Sequence, residues 1–246
     1  MKAMILAAGL GTRLRPVTNT RPKALVEVAG RTLLEITLTR LSSFGVSEVI
    51  INVHHFADMI VDYLKARDDF GLHIAISREE QLLDTGGGLK KASWFFLQDS
   101  AHANEPFILH NVDVISTIDF RRMLEFHNEK QALATLAVQR RRSSRQLLFD
   151  NGLHFCGRQI LQEQEIVRSS PRLQPFAFSG IHVISPRLFS LMQEEGAFSI
   201  IDTYLNVSAR GENIVAFPAD KAYWRDLGRP ADVEQATKDY EQKLFQ

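Results

Sequence analysis

The sequence predicts an α/β fold, a doubly wound and mostly parallel Rossmann-like sheet. Two observations carry that reading. The first third of the chain runs β-loop-α-β-α-β, the alternation that builds parallel sheets. The first apolar run then breaks into glycines, and ligands in such sheets sit at the carboxyl ends of strands. A chain of 246 residues with 45% apolar content suits one domain over 1–246 with a sizeable core.

The elements follow in order. Met4–Ala8 is an apolar run and reads as a buried first strand. Thr32 is placed to cap a helix through Phe44, with Leu33, Ile36 and Leu41 on one face and Gly45 at its end. Glu48–Val53 is β-branched and apolar, a buried strand. Residues 57–67 read as a helix with Ile60, Val61 and Leu64 inward, and His73–Ile76 as the third strand. The three glycines Gly86, Gly87 and Gly88 predict a loop that feeds a helix N-terminus at Leu89. Strands are expected at Pro106–His110, Ala132–Val138, Phe176–Pro186 and Asn213–Phe217. Helices are expected at 119–128, 186–194, 199–209 and 230–242. Between 140 and 175, short apolar pieces separated by charge predict β-hairpins over the sheet edge.

Composition excludes several classes. Lys plus Arg and Asp plus Glu both number 29, so no nucleic-acid surface is indicated. The short run Arg140–Arg142 with Arg145 reads as a solvated loop. One cysteine, Cys156, cannot form an intrachain disulfide framework, and the eight histidines form no metal cluster. No stretch approaches a membrane span, and Lys2 precedes only a short apolar run, unlike a signal peptide. The expectation is a soluble cytoplasmic protein, a monomer or small homo-oligomer, without nucleic-acid or membrane partners.

The residues that bear chemistry cluster near predicted strand ends. Gly9 and Gly11 permit close approach of backbone to a ligand, and backbone N–H groups in such a turn can form an anion nest. Arg13 offers a planar fork of donors and Lys23 a point charge, both suited to phosphate oxygens. Together they predict a polyphosphate site; taken alone, the two glycines are equally an ordinary turn. The loop has neither the Walker A pattern nor the dinucleotide fingerprint, since Leu14 occupies the third glycine position. Asp113, at the end of a predicted strand, is either a turn residue or a ligand for Mg²⁺, which prefers hard oxygens.

The string Leu6-Ala7-Ala8-Gly9-Leu10-Gly11-Thr12-Arg13-Leu14-Arg15-Pro16, then Pro22-Lys23, resembles the signature of the sugar-phosphate nucleotidylyltransferases. Further stretches resemble the same family: Leu83-Asp84-Thr85-Gly86-Gly87-Gly88-Leu89, Asn111-Val112-Asp113, Phe178-Ser179-Gly180-Ile181 and Trp224-Arg225-Asp226-Leu227-Gly228. The triple glycine is closest to the short N-acetylmuramate 1-phosphate uridylyltransferases. The resemblance implies a nucleotide-diphospho-sugar transferase fold with a β-rich sugar-binding lid. It implies a nucleoside triphosphate held by Ala8, Gly9, Gly11, Thr12, Arg13 and Lys23, with the base against Thr85, Gly86 and Gly87. It implies a sugar 1-phosphate near Gly180 and Asn111, Mg²⁺ on Asp113 and Asp226, and catalytic roles for Arg13, Lys23 and Asp113. Val112 and Arg229 depart from the family pattern, and Gln81 is out of register with a base-reading glutamine. The lysine that holds the sugar phosphate in larger members has no counterpart here; Arg158, Arg168 and Arg172 are the candidate substitutes. The favoured pair is UTP with N-acetylmuramate 1-phosphate. GTP with a mannose or heptose 1-phosphate is the alternative, and a non-catalytic nucleotide-sugar-binding regulatory subunit is an alternative of another class.

Overall fold

The computed structural model describes residues 1–98 and 104–245. The first half supplies β1 (Lys2–Leu6), β2 (Glu27–Val28), β3 (Arg31–Thr32), α1 (Leu33–Ser43), β4 (Glu48–Val53), α2 (Ala57–Lys65) and β5 (His73–Arg78). Then come α3 (Asp84–Lys91), α4 (Ser93–Leu97), β6 (Phe107–Asn111), β7 (Val114–Ser116), α5 (Phe120–Glu129) and β8 (Ala134–Gln139). The last part holds β9 (Arg145–Phe149), β10 (Phe155–Ile160), β11 (Glu163–Ile166), β12 (Gln174–Ile184), α6 (Ile200–Ala209), β13 (Ile214–Pro218), β14 (Trp224–Asp226) and α7 (Pro230–Glu241).

Strands β5, β4, β1 and β6 lie side by side and parallel. Beyond β6 runs the long β12, antiparallel to β6 and to β8, and β13 pairs parallel with β8. The predicted hairpins are β9, β10 and β11, an antiparallel extension from the Gln174–Phe176 end of β12. The sheet is mixed, and parallel from β5 through β6, as the alternation requires. Two apolar clusters cover its faces: one holds Ile5, Leu34, Leu38, Ile51 and Ile108, the other Met4, Ile50, Leu109, Leu136 and Tyr204. Successive β1 and β4 residues go to opposite clusters, which is the period of two that a sheet buried on both faces imposes.

Helix boundaries follow the capping chemistry. The Thr32 hydroxyl accepts from the Glu35 N–H at 3.1 Å and starts α1. Asp119 accepts from the N–H groups of Arg121 and Arg122 and starts α5.

Three expectations are corrected. The first strand ends at Leu6, two residues early, because Ala7 leaves the ladder to bond a side chain (below). Residues 186–194 do not form an α-helix; Pro186–Leu191 is a 3₁₀ stretch. The triple glycine is not a loop but lies inside α3. A Cβ on Gly86 would sit 2.4 Å from the Phe198 ring, and one on Gly87 2.3 Å from the Gly196 carbonyl. Close packing against segment 196–200 thus selects glycine at a helical position where propensity alone disfavours it.

Candidate active site

Sheet register builds the site. Leu6 pairs with Asn52 on one side and Asn111 on the other, so the carboxyl ends of β4, β1 and β6 form one row. The Ala7 N–H donates to Asn52 Oδ1 at 2.7 Å. Asn52 Nδ2 donates to Glu79 Oε1 at 2.7 Å, and Glu79 Oε2 accepts from the Leu83 N–H at 3.0 Å. Asn52 and Glu79 are both buried, and each satisfies the other. The chain therefore locks the first loop residue to the start of α3. Sequence reasoning missed this pair. Its signal was an amide at the inner end of an otherwise β-branched run, a buried polar group in need of partners.

Gly11 is left-handed at φ 63°, and a Cβ there would meet Thr18 Cγ2 at 2.9 Å and Lys23 Cβ at 3.2 Å. The Thr18 hydroxyl donates to the Gly11 carbonyl at 2.8 Å. The loop thus rests on the segment that carries Lys23, and this sets the lysine beneath it.

Two carboxylates come next. Asp113 follows β6, and Asp226 ends β14, which pairs with β7 so that Asp226 lies opposite Val114. Lys23 Nζ donates to Asp113 Oδ2. The Asp226 carboxyl is raised above its ordinary range, first by burial and then by the charge of Asp113; Lys23, Arg13 and the Gly228 N–H pull it back. β14 is anchored from behind, since Arg225 pairs with the buried Asp239 of α7 at 2.7 Å and the Tyr223 hydroxyl donates to that same carboxylate.

Arg13, Lys23, Asp113 and Asp226, distant in sequence, are thus neighbours. Arg13, Lys23 and Asp113 line a cleft of about 600 Å³ together with Ala8, Gly9, Gly11, Thr12, Thr85 and Asn111; Asp226 stands behind that lining, two residues before the cleft residue Gly228. No group of three or more His, Cys, Asp or Glu that could hold a metal occurs among the described residues. The Asp113–Asp226 pair still fits a hard divalent cation, which often takes only one or two carboxylates beside phosphate oxygens.

The sequence profile of the Nucleotidyl transferase family matches residues 2–243. The chain belongs to that family. An N-acetylmuramate alpha-1-phosphate uridylyltransferase of Caulobacter vibrioides is 34% identical over 93% of this chain and 92% of its own. A mannose-1-phosphate guanyltransferase of Yarrowia lipolytica is 29% identical over 96% of this chain, which spans 63% of that protein. Among solved structures, HddC of Yersinia pseudotuberculosis complexed with GMP-PN superposes with a TM-score of 0.74 at 23% identity, over 97% of this chain and 99% of that one. A UDP-glucose pyrophosphorylase from Acinetobacter baumanii gives 0.76 at 18% identity, over 97% and 92%. At these identities the structural likeness speaks to the fold.

In this nucleotidyltransferase several expected residues stand apart from the cleft. Gly86 and Gly87 are buried, and both N–H groups donate to the Phe198 carbonyl. They form the wall behind Thr85, whose hydroxyl accepts from the Ile200 N–H at 3.0 Å. Leu82 and Asp84 line the cleft beside Thr85; Gln81 is exposed and does not. Gly180 is buried at φ 73°, and a Cβ there would meet Asn111 Nδ2 at 2.9 Å. Its absent side chain makes room for Asn111. Val112 is buried in the core, its N–H donating to the Leu6 carbonyl, yet it also lines the cleft; Arg229 is exposed at the start of α7 and does not. Arg158 is held by Glu165 at 2.8 Å and Asp202 at 2.6 Å. Neither it nor Arg168 nor Arg172 lines the cleft. The Arg141 guanidinium, also outside the cleft lining, lies 3.6 Å from the centre of the Trp224 ring; burial lowers its pKa, and the charge of Asp226 raises it.

Proposed function

We propose that the protein transfers a uridylyl group from UTP to N-acetylmuramate 1-phosphate and releases pyrophosphate. The observation that carries the substrate pair is the Caulobacter relative, alike over nearly the whole of both chains. An oxygen of the sugar phosphate attacks the α-phosphorus, and pyrophosphate leaves in line. Such transfers need positioning and charge neutralisation more than covalent chemistry. The 8–13 loop wraps the triphosphate. Arg13 faces the charge that grows on the departing pyrophosphate, and Lys23 serves the α-phosphate. Asp113 and Asp226 would hold Mg²⁺, which supplies charge neutralisation to phosphate oxygens when bound. Asn111, seated against Gly180, borders the sugar side. The proposed setting is the cytoplasm and recycling of cell-wall sugar; no helix among the described residues is long and apolar enough to cross a membrane.

A second reading is guanylyl transfer to a mannose or heptose 1-phosphate, favoured by the Yarrowia relative. The test is pyrophosphate release with Mg²⁺ from a matrix of nucleoside triphosphates and sugar 1-phosphates. Release with UTP and N-acetylmuramate 1-phosphate above all others is expected. A strong preference for GTP and mannose 1-phosphate transfers the assignment to the second reading, and no release from any pair favours a regulatory subunit.

A further inference from the structure

We propose that Arg141 is the cation that receives the phosphate of the sugar 1-phosphate, an assignment that rests on the nucleotidyl-transfer reading. The acceptor oxygen forms a bond to the α-phosphorus while the bond from that phosphorus to the bridging β-oxygen breaks, its electron pair leaving with pyrophosphate. Two phosphate groups must therefore meet, and the acceptor needs a cation of its own. Arg13 and Lys23 stand on the side of the Gly-rich loop. Of the three downstream arginines, Arg158 is already taken by Glu165 and Asp202, and none of the three adjoins Asp226 as Arg141 does, although Arg141 too stands outside the cleft lining.

Arg141 has the required placement. It leaves the end of β8, and its guanidinium stacks on Trp224, two residues before Asp226. Trp224 is itself fixed, its Nε1 donating to the Ser179 carbonyl at 2.7 Å, next to Gly180 and hence to Asn111. Asp226 acts on Arg141 electrostatically. The residue thus sits where the acidic pair adjoins the Gly180–Asn111 side.

It also has unused capacity. One Nη donates to the Phe178 carbonyl at 2.7 Å. Nε is buried without a hydrogen-bond partner, and Arg141 makes no ion pair among the described residues. By contrast Arg140 is taken by Asp220, and Arg142 is exposed. Stacking fixes the plane of the fork, so little freedom is lost when two parallel bonds to a phosphate form. A role in packing alone would not require a guanidinium left short of acceptors in a half-buried place.

The experiment is steady-state pyrophosphate release by wild type, Arg141→Ala, Arg141→Lys and Arg142→Ala. N-acetylmuramate 1-phosphate is varied at saturating UTP, then UTP at saturating acceptor; mannose 1-phosphate with GTP is the second pair. Arg141→Ala is expected to raise KM for the sugar phosphate roughly 10- to 100-fold, the loss of a charged hydrogen-bonded contact, with KM for the nucleotide unchanged. Arg141→Lys recovers part of the loss, and Arg142→Ala behaves as wild type. An unchanged sugar-phosphate KM in folded Arg141→Ala, or in the neutral Arg141→Gln should alanine not fold, overturns the assignment. So does a loss that falls on kcat and on both KM values together, since that marks Arg141 as a prop for Trp224 and Asp226. Failure of wild type to release pyrophosphate from any pair is a different result: it rejects nucleotidyl transfer itself, and this assignment with it.

Discussion

Adding one methyl group at Gly228 tests the charge cluster without removing any charge. A Cβ there would lie 2.6 Å from Asp226 Oδ1, 2.7 Å from Arg13 Nη2 and 2.9 Å from Arg13 Cζ. The shortest of these falls about 0.8 Å below the 3.4 Å of ordinary contact. The backbone at 228 is not left-handed, so alanine fits its conformation and the effect is purely steric. Arg13 is the exposed end of a flexible side chain and swings away, but the overlap with Asp226 Oδ1 remains, so that carboxylate has to turn as well. Gly228→Ala should therefore lose turnover at least as strongly as Arg13→Ala, a loss on the order of 10²–10³ for one transition-state contact. The melting temperature should fall modestly, since overpacking costs about 1–3 kcal/mol. The assay is pyrophosphate release by both single variants and the double. Because the methyl also displaces Asp226, the double variant should be slower than Arg13→Ala. Near-normal turnover of Gly228→Ala, or a double variant as fast as Arg13→Ala, refutes the reasoning.

Other predictions follow from the same contacts. Asp226→Asn should abolish Mg²⁺-dependent turnover yet melt at an equal or higher temperature without Mg²⁺, because a carboxyl raised above its ordinary range costs stability when ionised at neutral pH; the Asp113→Asn, Asp226→Asn double variant should be little worse than either single one, and a lower melting temperature for Asp226→Asn counts against the repulsion. Burial holds His110 and His127 down to about 4 and His182 to about 3, so the unfolded chain takes up protons that the native state refuses as pH falls from 6.5 towards 4. Stability should therefore fall across that window by about 1.4 kcal/mol per imidazole per pH unit, and urea midpoints that stay flat from pH 7 to pH 5 would show those rings to be protonated or exposed. Gly86→Ala should lose about 1–3 kcal/mol through overlap with Phe198, partly restored by Phe198→Ala, and full stability of the single variant contradicts the packing of α3.

Elements whose local and long-range forces agree were legible. Glu48–Val53 was expected to the residue, because a β-branched run has no competing helical reading and the fold buries it on both faces. The Thr32 cap was legible because its bond to the Glu35 N–H is local. Expectations failed where a distant contact decides. Ala7 and Ala8 are as apolar as the strand before them, and only the Asn52 side chain, 45 residues away, draws Ala7 out of it. The triple glycine reads as a loop on local propensity, and becomes helix because Phe198 and Gly196 need the space.

The candidate site divides along the same line. Arg13, Lys23 and Asp113 were legible as types, a fork, a point charge and an acid near glycines or strand ends. Their convergence with Asp226 was expected from the family resemblance alone; physically it depends on β6 lying beside β1 and on β14 pairing with β7, which no local pattern reports. Asn52 and Glu79 were illegible because each is defined by the other, and a buried amide and acid show no common motif in sequence. Arg141 is the hardest case. It is the middle of three consecutive arginines, identical in chemistry, and composition alone makes all three a solvated run. Asp220 takes the first, solvent keeps the last, and Trp224 selects the middle one, so its identity resides in a contact across 83 residues of chain and not in the run itself.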